Sequence, residues 1–361
     1  MINKRYGILD MDLTLTTDSV SFAESFEMDY GLFALSGPPW ERRLSCEFFE
    51  KGKGGARLSI NGAPCLEAAS LDTPLHPYQI LTARLMKDVR GFTIVHGGVV
   101  AKENRPLVIC GPSGSGKTTL GAALLEEGFQ YFSDDFCPFN DETGLVHPFP
   151  RTMWRVSPDD EHTAGQAGNP AAGVFVRAGK TPLRLDPEKI PIASEPCRAA
   201  SVIYIDPGDQ ADRLLITRVQ LSAPGKDILK KAANDARGVT VEPRPGRAMN
   251  WEIRYPRGSG HAPKVIALLK AIEPYTLNKY RVDSYKPDFN QVPRLTPLAA
   301  HEMAHLLLGE LKSDPDTLRE LPGRYFMKMI EHLAQARCWR LTTGRLDRMK
   351  SAAIGTLAEE G

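Results

Sequence analysis

RPLVICGPSGSGKTTLGAALLEEGFQYFSDDF, residues 105–136, is the stretch that decides the fold. Its apolar run RPLVICG reads as a buried strand and leads without a spacer into GPSGSGKTTL, which fits G-x-x-x-x-G-K-[ST] at Gly111, Gly116, Lys117 and Thr118. Glycines in this pattern let successive backbone N–H groups turn inward around phosphate oxygens. The expected nucleotide-binding loop is therefore Gly111, Pro112, Ser113, Gly114, Ser115, Gly116, Lys117, Thr118 and Thr119. Lys117 is expected at the β and γ phosphates and Thr118 at a Mg2+ ion bridging them. The helix that begins at Lys117 aims its positive end at the same place, and Gly128 is placed to stop it.

FQYFSDDF then reads as a second strand. Strand, helix and strand this close together predict a βαβ unit with a right-handed crossover and parallel strands. Both strands would end at one edge of the sheet, where ligands bind in open α/β folds. That topology brings Asp134 and Asp135 beside the γ-phosphate and its metal. One acid is suited to holding Mg2+, directly or through water, and the other to accepting a proton from an attacking hydroxyl. Neighbouring strand residues point to opposite faces, so both face the nucleotide only if the strand has ended. The plainer alternative is that the pair caps the next turn.

Working outward, FTIVHGGVVA precedes RPLVICG across the polar turn KEN, which predicts adjacent strands. Residues 1–90 read as a β-rich N-terminal region, in which LTLTTDSVSFAESFEMDYGLFAL and RLSCEFFEKGKGGARLSINGAPCLEAA alternate apolar and polar residues between turns such as GKGG and NG, closed by a helix over PYQILTARLMKDVRG with Gly91 just past its end. Residues 91–275 form the expected core, including a Pro/Gly-rich loop at 155–173 and a buried strand in RAASVIYIDPG. Residues 290–361 are expected to be a helical C-terminal part: PLAAHEMAHLLLGEL and PGRYFMKMIEHLAQARCW have helical apolar spacing around the break SDPD. The fold class is thus α/β.

With 45 Lys and Arg against 44 Asp and Glu, the net charge of +1 gives no general field for nucleic acid or an anionic membrane. Neither kind of partner is expected. The six cysteines are scattered without metal-ligand spacing and read as reduced, mostly buried thiols. No signal peptide or bilayer-length apolar run is seen, so the expected location is cytoplasmic.

The order of a strand with His-Gly, a hairpin turn, a strand into the phosphate loop, one helix and a strand ending in Asp-Asp resembles the catalytic core of the HPr kinase/phosphorylase family. VHGGVVAKENRPLVICGPSGSGKTTLGAALLEEGFQYFSDDF carries that resemblance, and NDETGLVHPFPR extends it toward the HPr-kinase-related group. The implied fold is the P-loop one shared with phosphoenolpyruvate carboxykinase. The resemblance implies ATP and Mg2+ as cofactors, Lys117 and Thr118 in the phosphate and metal roles, Asp134 as the proton-accepting acid, Asp135 near the metal, and His96 close to both. It also implies transfer of the γ-phosphoryl group to a serine of a protein or peptide, with a small-molecule alcohol as the other acceptor class, and makes a homo-oligomer plausible. Thr118 and Thr119 stand where HPr kinases usually have Ser-Glu, and the glycine-containing signature of the bifunctional enzymes is not found.

Other readings compete. A regulatory module would bind ATP without transferring phosphate. HEMAH, residues 301–305, fits the H-E-x-x-H pattern of zinc peptidases, with Glu320 or Glu331 as a third ligand, although it sits in an amphipathic helix. Arg151 and Arg155 either steady transition-state charge or form ordinary ion pairs. Arg247, Arg254 and Arg257, around Trp251 and Tyr255, either recognise a ligand or belong to an amphipathic strand and turn.

Overall fold

The N-terminal alternation first builds an antiparallel pair, β1 (Ile2–Ile8) and β2 (Met11–Thr17). The next segment, expected as strand, is a helix, α1 (Val20–Tyr30). Ser19 caps it, its hydroxyl accepting from the Phe22 N–H, and Phe22, Phe26 and Tyr30 place one ring per turn in the core. That four-residue spacing overrides the polar–apolar alternation around it. Strands β3 (Arg43–Lys51), β4 (Gly55–Ile60) and β5 (Ala63–Ala68) complete a five-stranded sheet in chain order, and α2 (Pro77–Asp88) packs Leu81 and Leu85 on the same core.

The computed structural model describes residues 1–51, 55–68, 77–112, 114–156, 180–183, 188–207, 214–221, 223–234, 236, 238–244, 247–256, 262–284, 289–311 and 322–358. Ser113, Arg257, Glu320, the SDPD break and nearly all of the 155–173 loop lie outside the described residues.

After α2 come β6 (Phe92–Val95), β7 (Gly97–Lys102), β8 (Arg105–Cys110), α3 (Lys117–Leu125), β9 (Gln130–Ser133) and β10 (Cys137–Asn140). FTIVHGGVVA is therefore two strands broken at His96: β6 pairs with β10, while β7 lies between β8 and β9 and is antiparallel to both. Glu103 and Asn104 make the β7–β8 turn with φ of 53° and 58°, the left-handed pair that a two-residue hairpin needs. Next are β11 (Met153–Val156), β12 (Lys180–Leu183) and β13 (Ser201–Asp206).

Residues 214–284 form a unit that sequence reading did not separate. It runs β14 (Leu214–Leu221), α4 (Ala223–Asn234), β15 (Thr240–Arg244), β16 (Arg247–Pro256), α5 (Ala262–Ile272), β17 (Thr276–Ser284). Its strand order β15-β16-β14-β17, antiparallel throughout, is that of a split βαβ arrangement. Leu229, Trp251, Ile253, Val265 and Leu268 share its own core.

The chain then returns through β18 (Leu295–Leu298), α6 (Ala300–Leu308), α7 (Pro322–Leu333), β19 (Arg337–Thr342) and α8 (Leu346–Gly355). Residues 337–339, read as the end of a helix, open the strand β19, and the C-terminal part supplies two strands of the central sheet, β18-β19-β13-β8-β7-β9. Alternation across that sheet explains why. Leu107, Ile109, Ile203, Ile205 and Leu341 share one cluster with Leu120 and Leu124 of α3 and Met349 and Ala353 of α8. Val108, Cys110, Val202 and Cys338 share another with Met303 and Leu307 of α6 and Met329 and Leu333 of α7. The result is three layers, helices on both faces of a mixed sheet. Among the described residues no helix is long and apolar enough to cross a membrane. No cysteine is paired; Cys46, Cys110, Cys137 and Cys338 are buried, Cys197 is half-buried and Cys65 exposed.

Candidate functional site

Strands β8, β13 and β19 are parallel, and β9, being antiparallel to β7, runs the same way. Their carboxyl ends therefore share one edge: Cys110 leading into the glycine loop, Ser133 into the acid pair, and Asp206 at the end of β13. The loop leaves no room for side chains where it crosses β13. A Cβ on Gly111, whose φ is 142°, would stand 2.6 Å from the Ile205 carbonyl oxygen. Gly116, at φ 93°, turns the chain into α3, and its outer side meets the half-exposed ring of Phe289.

Inside the loop, Lys117 is 7% exposed and its ammonium donates to the carbonyls of Gly111 (2.7 Å) and Pro112 (3.1 Å). Burial lowers its pKa, while the Glu310 and Asp135 carboxylates, then the Cys110 thiol and Asp134, pull it back up. The Ser115 hydroxyl is fully buried and has no hydrogen-bond partner among the described residues. A buried hydroxyl without a partner among the described residues, a buried ammonium resting on its own loop's carbonyls and three loop glycines at positive φ together fit an anionic group of phosphate size.

Strand β9 ends at Ser133, whose hydroxyl bonds the Phe136 carbonyl across the turn, and Asp135 takes a left-handed backbone at φ 68°. Asp tolerates that region better than most residues. Strand alternation thus stops at the acid pair, and each carboxylate finds its own neighbour. The Thr118 hydroxyl donates to Asp134 Oδ1 at 3.0 Å, and Asp134 is 4% exposed. Asp135 is more open, with Oδ1 3.6 Å from His96 Nε2. Thr118 and Asp135 were both expected at the metal; in the structure Thr118 touches Asp134, and Asp135 lies beside His96. His96 occupies the break between β6 and β7 and stands beside Asp135.

Sequence reading missed Glu310. It follows α6 directly, its carbonyl accepts from the His96 N–H at 2.7 Å, and its Oε2 lies 3.2 Å from His96 Nδ1. A Val95–Leu311 bridge fixes the strand-like contact beside it. No local pattern announces a residue that reaches the site from more than 200 positions away; the one signal was an acid closing an otherwise apolar helix, LLLGEL.

Three expected features fall elsewhere. Arg151 is 2% exposed, pairs with Asp29 at 3.2 Å and lies over the rings of Tyr30 and Phe136, so it is built into the core that those two rings share. Arg254 bonds Glu252 and Glu242 within the split βαβ unit. In HEMAH, His301 and His305 are exposed and Glu302 accepts from the Ala299 N–H at 2.8 Å, closing the helix start. Among the described residues no three His, Cys, Asp or Glu side chains converge to hold a metal by themselves. Compared with protein-family models and with curated proteins, the chain matches none, and the site is read from its own geometry.

Proposed function

We propose that this protein is a MgATP-dependent kinase that passes the γ-phosphoryl group to a hydroxyl. A serine of a protein or peptide is the acceptor class that the HPr-kinase resemblance favours. The observation that carries the reading is the Thr118–Asp134 contact of 3.0 Å, which joins the start of the phosphate-loop helix to the acid pair. Backbone N–H groups of the loop and the Ser115 hydroxyl receive phosphate oxygens, and Lys117 moves from the Gly111 and Pro112 carbonyls onto them. Mg2+, when bound, neutralises the phosphate oxygens, and its protein-side place is beside Thr118 and Asp134. So few protein ligands suit an ion that keeps its waters and shares the phosphates.

That leaves Asp135, on the open side with His96, to take the proton as the acceptor oxygen bonds to the γ-phosphorus and the bond to ADP breaks. The roles given to the two acids by the sequence are exchanged in this reading. A Mg2+ titration of nucleotide binding and turnover in Asp134→Asn and Asp135→Asn tests it. Asp134→Asn is expected to raise the Mg2+ concentration needed for half-maximal binding. Asp135→Asn is expected to bind MgATP normally and lose roughly 10²- to 10⁴-fold in turnover. The opposite pattern would return the base to Asp134. Undiminished ATP binding by Lys117→Met would remove the nucleotide site itself.

A further inference from the structure

His96 stands between two carboxylates that come from opposite ends of the core. Its Nε2 faces Asp135 Oδ1 at 3.6 Å, beyond direct hydrogen-bond range, while its Nδ1 is within that range of Glu310 Oε2 at 3.2 Å. Backbone fixes the geometry as firmly as the side chains do, through the 2.7 Å bond from the His96 N–H to the Glu310 carbonyl. Glu310 has a largely buried side chain, 12% exposed, and it heads the charges that act on Lys117. A carboxylate this sheltered needs a donor. A neutral imidazole has one N–H, and which nitrogen carries it is set by the partner of the other.

We propose that Glu310 is a positioning residue for the phosphoryl-transfer site, an inference that rests on the function proposed above. Its carboxylate accepts from Nδ1–H, fixes the ring's tautomer and orientation, and so turns Nε2 with its lone pair toward Asp135 and the mouth of the phosphate loop. There Nε2 accepts the hydrogen bond of the incoming hydroxyl, takes its one proton as the acceptor oxygen bonds to the γ-phosphorus and the bond to ADP breaks, and hands that proton on to Asp135. Asp135 also fixes how far Nε2 can swing, and Lys117, on the loop side, balances the carboxylates. The arrangement has the logic of an acid–imidazole pair that orients a hydroxyl, assembled here from the β6–β7 break and the end of α6.

The test has two readouts. Imidazole ¹⁵N shifts of the whole chain at about pH 8.5, two units above the ordinary histidine range, report the tautomer, with His96→Gln assigning the signal. Nδ1–H is expected at His96 in the wild type and is expected to be lost in Glu310→Ala; an Nε2–H wild type overturns the proposal. Turnover and nucleotide affinity are then measured for Glu310→Ala and for Glu310→Gln, which keeps the side chain's volume if the alanine variant fails to fold. Both are expected to lose on the order of 100-fold in turnover, with MgATP affinity within about twofold, and formate is expected to restore part of the Glu310→Ala loss. Unchanged turnover, or lost affinity with unchanged turnover, overturns the proposal. A wild type that transfers nothing would sink the kinase reading, while the ¹⁵N shifts would still decide whether Glu310 sets His96.

Discussion

Removing Asp29 is the clearest way to ask whether Arg151 serves structure or phosphate. The two side chains are each 2% exposed and meet at 3.2 Å, and the guanidinium lies 5.2 Å and 5.0 Å from the Tyr30 and Phe136 ring centroids. Breaking a buried pair by deleting one charge costs about 3–5 kcal/mol, because the other charge stays desolvated. Asp29→Asn is expected near the low end of that range, since an amide oxygen still accepts a hydrogen bond. Arg151→Met keeps most of the volume but also gives up the two ring contacts, worth about 1 kcal/mol each at a sheltered site, and is expected near the high end. The double change Asp29→Leu with Arg151→Met leaves no buried charge, and its cost is expected to fall at least about 2 kcal/mol short of the summed singles. Urea denaturation followed by tryptophan fluorescence gives the stabilities, and ATP titration well below the transition gives affinity. Arg151→Met with unchanged stability and lost ATP binding would refute the structural role and restore the phosphate one.

Gly111→Ala would place a methyl 2.6 Å from the Ile205 carbonyl in a left-handed backbone; about 2–4 kcal/mol of destabilisation is expected, together with loss of ATP binding, and a variant that binds ATP normally would contradict the close crossing of loop and β13. His332 is 5% exposed, its ring parallel to that of Phe139 at 5.6 Å, and burial lowers its pKa, with Asp141 and Glu331 opposing and Lys328 and Arg198 adding to that. Its folded pKa lies below the unfolded one, so the unfolded chain takes up the proton first and stability falls as pH drops below about 6.5, by up to about 1.4 kcal/mol per pH unit. His332→Phe is expected to flatten that part of the curve, leaving the share of His147, whose pKa burial also lowers; identical melting profiles from about pH 8 to 5 would rule the account out.

Much of the candidate site was legible because it is local. The glycine loop, the helix after it and the acid pair span a single strand–helix–strand stretch, where spacing alone dictates neighbours. The His96 break was hidden inside an apolar run, since β6 and β7 are both largely apolar and separate only by which strands they pair with. Helix α1 was missed because alternation was weighed above the Phe22, Phe26, Tyr30 period. β19 was missed because RCWRLT follows a strongly amphipathic helix, α7, without a glycine or proline between them. Glu310 and Asp29 lay beyond reach for a different reason: each acts through a partner more than 100 residues away, His96 and Arg151, and only the packing of layers brings them together. The same holds for the exchanged neighbours of Asp134 and Asp135, which depend on one left-handed residue at the end of β9.

The measurement that bears most directly on the central claim is transfer of label from γ-labelled ATP with Mg2+, into protein, peptide and small-molecule fractions of the native host. Wild type would run beside Lys117→Met and Asp135→Asn. The account predicts a labelled phosphomonoester product that both changes abolish, with ATP binding lost only in Lys117→Met. ATP bound by the wild type with no labelled product in any fraction would contradict it.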